Sequence, residues 1–255
     1  MIHETAVIHP NAKIGKNCEI GPYCIITENV SLGDGNYLQS HVRLDGHTTI
    51  GKNNKFFHCA AIGNVPQDLK YSGEPTELFI GNNNTFREFV TVNTSATMDE
   101  STSIENNNLL MAYVHVAHHC HLKNNLIIAN AVNLAGHITI DDFAVVGGMT
   151  AVSQFVNIGK HAFVGGNSGV TKDVPPFTRG IGMPYEIKGM NTIGLQRKGF
   201  SKEDLNSIKN IFKIFYKSDL NVSQALEETE NLNMLTTHQT EFIEFVKKSK
   251  VGICR

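Results

Sequence analysis

Four of the chain's twelve histidines fall within eight residues, Val114-His115-Val116-Ala117-His118-His119-Cys120-His121. Imidazole exchanges a proton near neutral pH and is also the commonest metal ligand, so this cluster suits general acid-base chemistry, a metal site, or neither. Zinc would need three or four donor atoms converging at roughly 2.1 Å on one point. No further Cys/His spacing in the chain supports that reading. The five cysteines, at 18, 24, 59, 120 and 254, are odd in number and form no Cys-x-x-Cys pair, a pattern that fits reduced thiols in a cytoplasmic protein better than a disulfide frame. Which histidines act together depends on the elements that carry them.

Those elements are declared by a period of six. From Ile2, every sixth residue through Val170 is bulky and apolar, with two exceptions, Asp68 and Glu74. Six residues do not close one face of a helix, and two-residue alternation would not single out one position in six. Glycine often follows the apolar residue, as at Gly15, Gly21, Gly33, Gly51, Gly63, Gly81 and Gly159, and asparagine crowds segments 82–84 and 106–108. Both residue types tolerate the left-handed backbone of tight corners. The pattern predicts a prism of short flat strands, each pointing one aliphatic side chain inward, with 18 residues per coil if three-sided.

The two exceptions lie in NVPQDLKYSGEPTEL, whose prolines and glycine do not suit a strand; a loop extruded from the prism near 64–79 is expected. NTSATMDESTS, from Asn93, keeps the phase but is polar enough to be a second excursion. After Val170 the repeat stops, and TKDVPPFTRGIGMP reads as a linker. The expected division is a β-helix over 1–178 and a linker with a helical domain over 179–255. Ser201 with Asp204 resembles a capping box, and further helices are expected near 223–232 and 237–248. The net charge of −2 gives no global field for nucleic acid. Lys209, Lys213 and Lys217 make one basic stripe, which is usually only a solvated face and alternatively a dock for an acidic partner, where, with Arg197 and Lys198 just upstream, acyl carrier protein fits. No window is long and apolar enough to span a membrane.

In such a prism, residues 18 apart stack at roughly 4.8 Å, the spacing of paired strands. His118 then stacks on Gly136 and Gln154, and His119 on His137. A general-base candidate beside a glycine whose N–H can face a carbonyl is most of an acyl-transfer site. His121, His3, His9 and His161 are expected to be surface residues.

The isoleucine-glycine hexads resemble the hexapeptide-repeat acyltransferase superfamily, which implies a mainly β fold: a left-handed parallel β-helix with a C-terminal α-helical cap, commonly a homotrimer with sites between neighbouring prisms. QDLKYSGEPT at Gln67, NLLMAYVHVAHHC around His118, NLAGHITIDDFAVVGGMTAV, SGVTKDVPPFT and GLQRKGFS together resemble the UDP-N-acetylglucosamine O-acyltransferases over essentially the whole chain. That resemblance implies transfer of an (R)-3-hydroxyacyl chain from acyl carrier protein to the glucosamine 3-hydroxyl, the first step of lipid A synthesis, in the cytoplasm and without integral membrane association. His118 would be the general base and Gly136 the oxyanion donor. Asp68, Lys70 and Gln67, with His115, His137 and Gln154, would line the sugar-nucleotide cleft. Asn191, Arg197 and Lys198 would lie near the acyl chain and phosphates, and Gly166 over Gly148 would leave room for a long chain. No metal and no cofactor beyond the carrier's phosphopantetheine thioester are implied.

Four departures stand out. His119 occupies the place of the family's usual aspartate, Ser153 that of a histidine, Asn93-Thr94-Ser95 that of a more basic segment, and Lys198 that of an arginine, keeping charge without the planar fork. Three rival readings remain: N-acylation of a 3-amino sugar nucleotide, a zinc hydratase of the carbonic anhydrase type on the same prism, and a non-catalytic scaffold.

Overall fold

The computed structural model describes residues 1–232 and 234–255. Among the described residues, strands mostly two residues long form three sheets of nine, eight and ten strands, parallel throughout except for the last pair of the third. We call them the first, second and third sheets, after the sheets that hold Val7–Ile8, Lys13–Ile14 and Glu19–Ile20. The hexad side chains turn inward as one stacked core: Leu44, Ile62, Val92, Val116 and Leu134 of the first sheet are fully buried. Burying each such side chain contributes about 1.5–3 kcal/mol, which is how strands too short to persist alone hold together.

Val116 pairs with Leu134, 18 residues on, but Ile62 pairs with Val92, 30 on, and Val92 with Val116, 24 on. The two longer coils carry extra residues in whole multiples of six, so the phase survives them. Asp68 and Glu74 are the hexad positions of the first insertion. Met98 is that of the second; although it fits the apolar series by type, it is 71% exposed. Both loops leave from one edge of the prism, between the first-sheet strands Ala61–Asn64 and Thr91–Asn93 and the second-sheet strands Glu77–Ile80 and Thr102–Ile104.

The corners correct one expectation. Asn17, Asn53, Asn83, Asn107, Asn125 and Asn167 do take left-handed backbone, but so do His119, His137, His161, Phe143 and Phe155 at the same phase. Of the nine glycines that follow an inward residue, Gly147 and Gly165 included, only Gly63 has positive φ. The others sit where coils approach closely: a Cβ on Gly33 would lie 2.5 Å from the Gly51 carbonyl oxygen. Left-handed backbone costs roughly 1–2 kcal/mol per non-glycine residue. Stacked side chains offset it: Asn36, Asn54, Asn84 and Asn108 form a buried ladder in which each amide oxygen accepts from the next coil.

The stretch expected to be a linker is part of the prism. Thr178–Ile181 pairs in parallel with Phe163–Val164, and Glu186–Met190 returns antiparallel to it, so the third sheet ends in a hairpin. Among the described residues four helices follow: α1 (Thr192–Arg197), α2 (Lys202–Tyr216), α3 (Val222–Glu230) and α4 (Thr237–Lys248). Capping boxes start the last three, at Ser201/Asp204, Asn221/Gln224 and Thr236/Gln239. Phe177, Leu195, Ile208, Ile211, Phe215 and Phe242 form their own core. The tail docks back on the prism, where the Cys254 N–H donates to the Asp173 carbonyl at 2.8 Å. No helix among the described residues is long and apolar enough to cross a membrane.

Candidate active site

His118 and His119 occupy the corner that follows the strand His115–Val116, and Gly136 and His137 occupy the same corner one coil on. This is the edge from which both insertions depart. The His118 ring is 5% exposed and lies flat against Gly136, where a Cβ would sit 2.4 Å from its Cε1. Only glycine allows the ring to rest there. The Gly136 N–H donates to no protein group among the described residues, so a donor stands open beside His118.

Each ring nitrogen of His118 has a partner. Nδ1 lies 2.9 Å from Nδ1 of His119, and Nε2 lies 3.7 Å from Oδ2 of Asp68, brought over by the first loop. The second loop serves His119: its Nε2 lies 3.0 Å from Thr97 Oγ1, and its backbone N–H donates to Thr102 Oγ1 at 2.8 Å. His115 bonds Thr91 Oγ1 through Nδ1 at 2.8 Å. Burial lowers the pKa of His118, against the pull of Asp68, and that of His119 and His115. The environment thus favours the neutral imidazole of His118. Asp68 is held below the usual carboxylate range, first by the Lys70 N–H that donates to it.

Nitrogens of His118, His119 and His137 lie within 4.8 Å of one another, close enough to raise a metal site. The rings of His119 and His137, however, stack at 4.3 Å with only 7° between planes. In-plane lone pairs on parallel rings do not converge on one point as tetrahedral zinc requires. Cys120 faces the prism interior, donates to the Ala135 carbonyl at 3.1 Å, and has its thiol pushed up to about 12 by burial, which makes it inert as a nucleophile.

Family models match residues 173–254, as "Udp N-acetylglucosamine O-acyltransferase; Domain 2", and residues 1–33, as "Bacterial transferase hexapeptide (six repeats)". An acyl-[acyl-carrier-protein]--UDP-N-acetylglucosamine O-acyltransferase of Thermodesulfovibrio yellowstonii is 46% identical over the whole chain and 99% of its own length. The chain belongs to the UDP-N-acetylglucosamine O-acyltransferase family. A relative of the same name from Saccharophagus degradans is 44% identical over the whole chain and 99% of its length. The Bacteroides fragilis UDP-N-acetylglucosamine acyltransferase structure superposes with a TM-score of 0.96 at 40% identity, covering both chains fully. That from Francisella novicida gives 0.97 at 37%, covering this chain fully and 94% of the other. The protein is thus an acyltransferase, and its prism is a left-handed parallel β-helix.

The remaining residues expected of such an acyltransferase do not all share the His118 edge. Gln67 and Lys70 are exposed on the first loop, and Gln154 is exposed one coil beyond Gly136. Asn191, Arg197 and Lys198 are on the third sheet's side, around a cavity of about 810 Å³ that Phe143 and His161 also line. Asn191 caps α1 and donates to the His161 carbonyl at 2.9 Å, and the Lys198 ammonium sits 4.8 Å over the Phe143 ring. Gly148 and Gly166 stack at a third edge, between the third and first sheets, where a Cβ on Gly166 would lie 3.1 Å from the Gly148 carbonyl oxygen. Lys209, Lys213 and Lys217 are exposed along α2.

Two histidines expected at the surface are not passengers there. His161 is 6% exposed, and its pKa is lowered to about 4, chiefly by burial. His121 fastens the second loop, bonding Glu100 at 2.7 Å and Ser103 at 2.8 Å. His3 and His9 are exposed. Thr97, Asp99 and Thr102 drew no notice as sequence. The polar run from Asn93 was their only signal, and nothing in it declares which corner it covers.

Proposed function

We propose that this acyltransferase moves an (R)-3-hydroxyacyl chain from acyl carrier protein to the 3-hydroxyl of UDP-N-acetylglucosamine, the first step of lipid A synthesis. His118 Nε2 takes the hydroxyl proton as that oxygen attacks the thioester carbonyl carbon. The Gly136 N–H stabilises the oxyanion. Collapse of the intermediate breaks the C–S bond, and His118 returns the proton to the leaving phosphopantetheine thiol. No metal or other cofactor takes part, and no acyl-enzyme forms. Asp68, Lys70 and Gln67 hold the sugar nucleotide on the first loop, with His115, His137 and Gln154 completing the cleft.

The observation that carries this reading is the pairing of a neutral, buried His118 with an unclaimed N–H at Gly136. Names of relatives supply the substrates: the Thermodesulfovibrio yellowstonii protein is named for acyl carrier protein and UDP-N-acetylglucosamine. Asn191, Arg197 and Lys198 lie on another side of the prism, so we take the working enzyme to be a homotrimer in which a neighbouring copy brings that side to the His118 edge, with the stacked glycines accommodating a long acyl chain. The exposed lysines of α2 suit an acidic carrier protein. Five free cysteines suit the cytoplasm.

The test is transfer from 3-hydroxyacyl carrier protein to UDP-N-acetylglucosamine after chelation, with the product's linkage read by mass spectrometry. The ester is expected, and His118→Ala should lower the rate by about 10²–10⁴-fold. Transfer only to a 3-amino sugar nucleotide would replace O- by N-acylation. Loss on chelation, restored by zinc, would favour a metal site at the histidines.

A further inference from the structure

A neutral imidazole carries one N–H and one bare nitrogen, so the partners of one ring dictate the tautomer of the next. At the outer end of the His118 cluster, the Thr97 hydroxyl donates to the Asp99 carboxylate, which can only accept. With its one proton so engaged, Thr97 Oγ1 must accept from His119 Nε2, 3.0 Å away. A neutral His119 is then bare at Nδ1 and must accept from His118 Nδ1, 2.9 Å away. His118 is left bare at Nε2, the nitrogen that faces Asp68.

We infer that Asp99, Thr97 and His119 form a relay that fixes His118 in the tautomer able to take a proton at Nε2, with Thr97 and Asp99 acting as positioning residues on the second loop. This rests on His118 being the base of the proposed reaction. The loop is itself held in register by Glu100 on His121 and by Thr102 on the His119 N–H. Charged or titratable groups facing His119 are His118, His137, Asp99 and Glu100. Thr97 and Asp99 are exposed, so the carboxylate's charge is largely screened. The relay therefore works by hydrogen-bond direction and not by field strength. One hydroxyl between two rings and one carboxylate is enough to set which nitrogen of a ring two links away is bare.

Long-range 1H–15N spectra of the histidine rings, on the substrate-free protein, read this directly. Wild type is expected to have His118 protonated at Nδ1 and His119 at Nε2. Thr97→Val should shift both rings toward the opposite tautomers and lower kcat about tenfold, the worth of one lost hydrogen bond, with KM unchanged; Thr97→Ser should restore spectra and rate. His118 protonated at Nε2 in the wild type, or spectra unmoved by Thr97→Val, would overturn the relay. Because the spectra need no substrate, a wild type that transfers no acyl group would sink the proposed reaction while the relay was still decided.

Discussion

His137 and His161 occupy the same hexad phase, with φ of 61° and 54°, and both stack face to face on aromatic rings. What is laid over them differs. At the first edge, the two insertions bring Asp68 and Thr97 against His118 and His119, next to His137. At the other edge, the next coil brings Phe177 and the helical region brings Phe200 against His161, and no protein group among the described residues hydrogen-bonds its ring. The coil supplies a histidine at a fixed place. The covering segment decides whether it does proton chemistry or packs.

Breaking the first edge should cost most. Gly136→Ala puts a methyl group where the His118 ring lies, so the base must turn away from the cleft. Transfer is expected to fall at least 100-fold, the scale of losing a positioned base, with the melting temperature little changed. A fully active Gly136→Ala would show that the ring contact does not position the base. Asp68→Asn keeps the shape but removes the charge facing Nε2. A smaller loss, about tenfold in kcat/KM, is expected on the scale of one charge-assisted contact. The acid limb of its pH profile should also move lower, because Asp68 is what raises the base's pKa against burial.

At the other edge, His161 itself should be silent in kcat and audible in stability. His161 has its pKa lowered to about 4 in the folded state from an ordinary value of 6.5. Between those values the unfolded chain binds the extra proton, so stability rises with pH there. It is fully present above about 6.5 and lost as pH falls toward 4, at up to about 1.4 kcal/mol per pH unit. His161→Phe should flatten this group's share of the slope in denaturant titrations from pH 7 to 4. An unchanged slope would mean that His161 is not the buried neutral ring described.

Much of this was legible as sequence. The hexad series located the inward residue of nearly every strand, because a period of six has no other economical packing. The column of His118, Gly136 and Gln154 followed from an 18-residue coil. Left-handed corners were less legible, since an aromatic there is stabilised by the ring one coil away, a contact between residues 18 apart that no local propensity encodes. The hairpin after Pro176 was hidden for a similar reason: its turn-rich composition reads as linker, yet Thr178–Ile181 finds its partner in Phe163–Val164. Thr97 and Asp99 were invisible, because an insertion's length preserves phase without saying where its tip returns.

The central claim, that the segments laid over the first edge equip His118 for proton chemistry while those over the other edge leave His161 packed, is tested most directly by measuring kcat for His118→Ala and His161→Phe side by side, after chelation. The account predicts a fall of about 10²–10⁴-fold in the first and a kcat near wild type in the second, where any loss falls on KM because His161 lines the cavity of Asn191, Arg197 and Lys198. Wild-type turnover in His118→Ala, or an equal collapse in a folded His161→Phe, would contradict it.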